Sequence, residues 1–242
     1  RRIQSKNEQM VWVSNDRRFD PSSAGLVTGL EGMNQGVGLD IVPSTSVTHD
    51  KSFIAGTSDT NIEPSVDVFY KLNSGLNASL TANTDFSATE IDDRQVNLTR
   101  FSLFFPEKRD FFLREADIFE FGRLSQNGRP FFSRRIGLSR GGQALDLELG
   151  GKISGRIGDW ELGALTIRQD ETDSVAADTM SVIRVKKGLF GESTLGAIFT
   201  DGNPTSNLDN SLAGLDFLYR TSDLPGGRIF EVSSWYQQTN TE

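Results

Sequence analysis

The chain alternates apolar and polar residues with a period of two over most of its length, and the 3.6-residue period of a helix is nearly absent. From Leu145 to Ile157 the odd positions read Leu, Leu, Leu, Gly, Ile, Gly, Ile, and the even ones read Asp, Glu, Gly, Lys, Ser, Arg. Successive side chains of a strand point to opposite faces, so this run predicts one strand with an apolar face and a charged face. Val66, Val68, Tyr70 and Leu72 repeat the pattern, Asn73-Ser74-Gly75 supplies a turn, and Leu76, Ala78, Leu80, Ala82 and Phe86 return. Further hairpins are predicted over 143–157 and 160–168, over 179–187 and 192–200, and over 211–220 and 228–238.

The connections sort by length. Stretches 73–75, 158–159, 188–191 and 221–227 are short, whereas 87–95, 170–178 and 201–210 are long, polar and mostly acidic. Tight turns at one end and long loops at the other are the habit of an up-and-down barrel of the outer-membrane kind. The pattern alone leaves a soluble β-sandwich or barrel open.

Residues 100–140 interrupt the rhythm. They hold nine of the 17 phenylalanines and nine basic against five acidic residues, a net of +4 in a chain of net charge −8. If strands near 96–103 and 143–157 run the same way, one strand of opposite direction lies between them. Arg129 to Leu138 is the candidate, which leaves 104–128 as an insert on the turn side or inside the lumen. Within this region Arg100, Lys108, Arg109, Arg114, Arg123, Arg134, Arg135, Phe111 and Phe112 are the candidate lumen or ligand-binding residues. Arginine forks hold carboxylates and phosphates at two points, and aromatic faces stack on sugar rings. The competing reading is a brace whose charges neutralise each other while its phenylalanines pack it to the wall.

Composition removes other chemistries. The 242 residues contain 36% hydrophobic residues and 24 glycines, enough for a sizeable core. An acidic balance argues against a nucleic-acid partner, and the absence of cysteine removes thiolate chemistry. The single histidine, His49, sits in a polar stretch that reads as loop, so no Ser–His site, metal site or cofactor is expected. Glu107, Asp110, Glu115, Asp117 and Glu120 lie among many bases, which suits ion pairing better than acid catalysis, and no catalytic residue is assigned. No apolar run has the ~18 residues of a spanning helix, but spanning strands need none. Trp160, Tyr219, Trp235 and Tyr236 stand where an interfacial aromatic girdle would place them.

Two stretches carry a resemblance. Val96-Asn97-Leu98-Thr99-Arg100-Phe101-Ser102-Leu103-Phe104-Phe105-Pro106-Glu107-Lys108-Arg109, continued by Phe111-Phe112-Leu113, is one, and Phe131-Phe132-Ser133-Arg134-Arg135-Ile136-Gly137 is the other. They resemble a family of uncharacterised bacterial outer-membrane proteins with a carbohydrate-binding family 9-like N-terminal domain and a C-terminal β-barrel domain of unknown function. Gly29 to Met33, Leu39 to Pro43 and Ala213 to Phe217 are similar to strands of that barrel.

The resemblance implies an all-β, up-and-down antiparallel transmembrane barrel, partial in this chain, over 25–242. Residues 1–24 are then the tail of a preceding domain. About 11–12 strands would close with further strands or a partner subunit. Outer-membrane lipid and a saccharide or anionic solute are the implied partners. The implied role is solute passage or surface anchoring for a glycan-handling system, against the alternatives of a soluble glycan-binding or glycan-hydrolysing β-domain and of a scaffold with a blocked lumen.

Overall fold

The computed structural model describes residues 37–53, 56–84, 107–124, 127–138, 145–171, 175–226 and 228–242, together with Gly29 and two dipeptides near the start. The chain divides into two units, Arg1–Gly36 and Val37–Glu242. In the first, β1 (Arg2–Ile3) pairs antiparallel with β2 (Glu8–Gln9). The signature residues 96–106, Arg100 among them, and the stretch from Leu30 to Met33 lie outside the described residues.

The second unit is all-β. β3 (Leu39–Ser52), β4 (Thr57–Lys71), β5 (Leu76–Ala82), β6 (Leu147–Ile157), β7 (Trp160–Gln169), β8 (Asp178–Leu189), β9 (Ser193–Asp201), β10 (Asn210–Leu224) and β11 (Arg228–Thr241) form one open antiparallel sheet in sequence order. The hairpins fall where the alternation predicts them. The turns after β4, β6, β8 and β10 sit at one end of the sheet, and the longer loops after β7 and β9 at the other.

Alternation separates the two faces cleanly because directly paired residues share a face. One cross-strand row reads Leu39, Tyr70, Ala78, Ile153, Ala164, Ile183, Phe199, Ala213, Gln238. The next reads Leu76, Gly155, Leu162, Val185, Ala197, Leu215, Tyr236. This face is uncovered among the described residues, and Ile153, Ile183 and Leu215 are each at least half exposed. The opposite face carries rows such as Lys71, Asn77, Ser154, Gly163, Arg184, Ile198, Gly214, Gln237. Here the sheet is covered, and we call this its inner face.

The cover is the connection between β5 and β6. It contains a single helical turn, α1 (Asp110–Leu113), and 3₁₀ turns at Ala116–Phe119 and Ser133–Arg135. Phe111, Phe112, Ile118, Phe119, Phe121 and Ile136 from this insert pack with Leu147, Leu165, Ile167, Met180, Val182 and Ile198 of the sheet into the hydrophobic core.

Several expectations change. β5 pairs directly with β6, so no strand forms at 129–138 and the parity argument fails. The physical reason is that the Arg109 guanidinium takes the carbonyls of Ser133 and Ile136, at 2.9 Å each, where a strand would offer them to a ladder. The insert therefore leaves and re-enters at the long-loop end, not the turn end. Leu147 is also displaced: a register shift between Leu147 and Leu149 pairs the first with Gln169 and the second with Arg168. Leu145 and Leu147 consequently turn into the core while Leu149 stays outside. His49 lies on β3, exposed, with Nδ1 2.8 Å from Thr60 Oγ1, because the pairing of β3 with β4 runs unbroken through its polar stretch. Trp235 faces inward, against Phe121 and over Gly122, so it does not join an outer girdle.

Candidate functional site

The inner face and the insert upon it make up the candidate site. From the long-loop end the insert descends along β5 and β6. Lys152 Nζ donates to the carbonyls of Phe111 and Arg114 at 2.5 and 2.6 Å, which ties α1 to the middle of β6. Glu115, in the left-handed backbone region at φ 52°, accepts from Ser154 Oγ at 2.5 Å and from the Asn77 amide. Asp117 then meets Arg156, itself bonded to Glu161 at 3.1 Å, near the turn end.

The insert next crosses the sheet. Ile118 and Phe119 lie over Gly163, and Phe121 lies over Gly214. A Cβ on either glycine would stand 2.8 Å from the facing ring, so only glycine leaves room for the aromatic. Beside Phe121, Arg184 is fully buried and holds Asp216 through two bonds of 2.6 and 2.8 Å. Asp216 in turn accepts the Gly122 amide at 3.2 Å. Gly196 makes space for this pair, since a Cβ there would lie 2.5 Å from the Asp216 carboxylate. Arg123 pairs with Glu231, and Gln237 donates to the Gly128 carbonyl at 2.9 Å on the way back up. Gly137 N–H donating to Gln169 Oε1 at 2.9 Å closes the circuit.

The proposed ligand residues are thus spread across different environments. Phe111 and Phe112 are core residues, in edge-to-face contact at 5.0 Å. Arg109 is buried with them, over the Phe112 ring and against Glu107, and braces the insert internally. Burial opposes the Glu107 charge, but the Arg109 guanidinium and the Ser133 hydroxyl outweigh it and hold the carboxyl below its usual range. Burial also lowers the Arg109 value. Lys108 and Arg134 are half-buried, and Arg123 is tied to Glu231. Arg135 is exposed on a small cleft of about 160 Å³ near the long loops, with Phe132, Thr200 and Asp201.

Arg114 differs. It leaves α1 toward β3–β5 and borders a larger cleft of about 510 Å³ that also touches Asp40, Lys71, Asn77 and Glu115. No group of three or more metal-binding side chains occurs among the described residues. Sequence reasoning missed Lys152, Arg184, Asp216 and the inner-face glycines. Their signal was legible: glycine at strand positions whose face is otherwise charged marks where something bulky lies on the sheet.

Comparison with curated proteins and with solved structures returns no match for this chain. Residues 36–155 match a family model described as a domain of unknown function, DUF5916. That span runs from the edge strand β3 through the insert to β6, so the insert and the larger cleft lie within the part similar to an uncharacterised family, and β7–β11, which the insert crosses, lie outside it.

Proposed function

We propose that the sheet is part of an outer-membrane β-barrel wall, and that the insert restricts solute passage along its inner face. The observation that carries this reading is the uncovered face: two successive cross-strand rows that are apolar or glycine apart from two tyrosine hydroxyls and Gln238 at the β11 end of the first. In water such a face would be a contiguous exposed apolar patch, which marks an interaction surface; in a bilayer it meets acyl chains. Strand length agrees, since β6, β7 and β8 have 11, 10 and 12 residues against the ~9–11 needed to span. The inner face supplies the complement, with Lys152, Arg184, Asp216 and Glu161 turned away from lipid.

The resemblance of the Phe-Phe-Pro-Glu-Lys-Arg stretch adds the glycan-handling context, and with it a bacterial outer-membrane location. The packing favours a restricting brace over an open constriction, because Arg109, Phe111 and Phe112 are consumed in holding the insert. Planar-bilayer conductance of the full-length protein tests the reading. Steady current is expected to be small in the intact protein and larger in a variant lacking residues 107–138. Equal currents, or none in either form despite verified insertion, would remove the passage role and leave anchoring.

A further inference from the structure

Between the insert and the β3–β5 edge of the sheet, the described residues leave the inner face open as the 510 Å³ cleft. That volume is within the ~300–1,000 Å³ of small-molecule sites. Its charges are unequally engaged. Glu115 is spent on Asn77 and Ser154. The Arg114 Cζ lies over the Phe69 ring, 3.4 Å from its centroid, a contact that uses none of its N–H groups. Its nearest carboxylate oxygen is Asp40 Oδ2 at 3.6 Å, beyond hydrogen-bond distance, and both side chains are open to solvent. Lys71 lines the same cleft and makes no ion pair among the described residues.

We infer that this cleft binds a small solute bearing one carboxylate, anchored by the N–H edge of Arg114 and by the Lys71 ammonium. A guanidinium seated over an aromatic ring presents parallel donors that match a carboxylate at two points. Asp40 and Glu115 set the upper limit on ligand charge, because a phosphate dianion entering the cleft meets both. Asn77 and Ser79 border the remaining space and suit a hydroxylated body. The inference rests on the inner face being the solute-facing wall, and names the class of solute it takes.

Calorimetric titration of the full-length protein in detergent micelles tests it, with glucuronate as the probe, glucose as its uncharged counterpart and inorganic phosphate as the dianion. Glucuronate is expected to bind at least about tenfold more tightly than either, since charge-assisted hydrogen bonds are the stronger kind. R114Q and K71M should each weaken glucuronate about tenfold, at unchanged melting temperature, while K187M on the outer face, beside Trp160, leaves it unaltered. Absent glucuronate binding, equal binding of glucose, preference for phosphate, or insensitivity to R114Q would overturn the inference. A bilayer-insertion assay on the same preparation separates the two claims. Insertion without glucuronate binding overturns the cleft alone, whereas binding without insertion supports the cleft and removes the membrane reading.

Discussion

Arg109 shows how a side chain can replace strand pairing. Its guanidinium bonds Glu107 through two contacts, reaches the carbonyls of Ser133 and Ile136, and stacks over Phe112 at 4.1 Å. Arg109→Ala would strand the buried Glu107 carboxylate and free two carbonyls, and we expect a loss of about 3–5 kcal/mol in denaturant unfolding. The glycines make a second test at this scale. Gly163→Ala sets a methyl 2.8 Å from the Phe119 ring, whereas Gly151→Ala on the outer face meets only Leu80 at an ordinary 3.6 Å. The first should destabilise by about 1–3 kcal/mol through overpacking, and the second should be close to neutral in the same thermal melts. Patterning marks Gly163 as a place where something lies on the sheet, but not that an aromatic ring fills it, so the size of the penalty was out of its reach.

The alternation of single residues made the strands legible as elements, including the hairpins at Asn73–Gly75 and Gly158-Asp159. It failed where a bulge reset the phase, so that Leu147 points inward and Leu149 outward. Counting strand directions failed for a different reason: the count assumed that every segment between strands was itself paired, whereas the 107–138 insert pairs with the sheet through side chains. Nine basic residues and nine phenylalanines set 100–140 apart in the sequence, and the brace reading of this region agrees with the burial of Arg109, Phe111 and Phe112.

The insert should respond to acid. Because the Glu107 carboxyl is held below its unfolded value, its ion pair contributes fully above the ordinary carboxylate range. The contribution is lost as pH falls through the depressed folded value. Limited proteolysis within 107–138 should therefore accelerate on acidification in the native protein. Glu107→Gln should be cleaved faster at neutral pH and show a flatter response; an unchanged pH profile would contradict the brace.

Across the whole molecule the two faces of the sheet invert the usual arrangement, with buried arginine and lysine inside and uncovered leucine, isoleucine and phenylalanine outside. In a lipid wall, Ile183→Arg on the outer face costs about 2–4 kcal/mol near the bilayer centre, and folding into vesicles should fall accordingly. In a soluble protein the same substitution on an exposed position would change stability little.

The most direct measurement uses the lack of cysteine among these 242 residues, which lets single thiols report without background from this region. Full-length protein in vesicles would carry a bimane probe at Ile153→Cys, Ile183→Cys or Phe199→Cys, members of one outer row, and at Asp40→Cys on the inner face. Lipids with brominated acyl chains should quench the three outer probes and leave aqueous iodide ineffective, with the reverse at Asp40→Cys. Iodide quenching of the outer row equal to that at Asp40→Cys, with no effect of brominated lipid, would contradict a membrane-facing sheet.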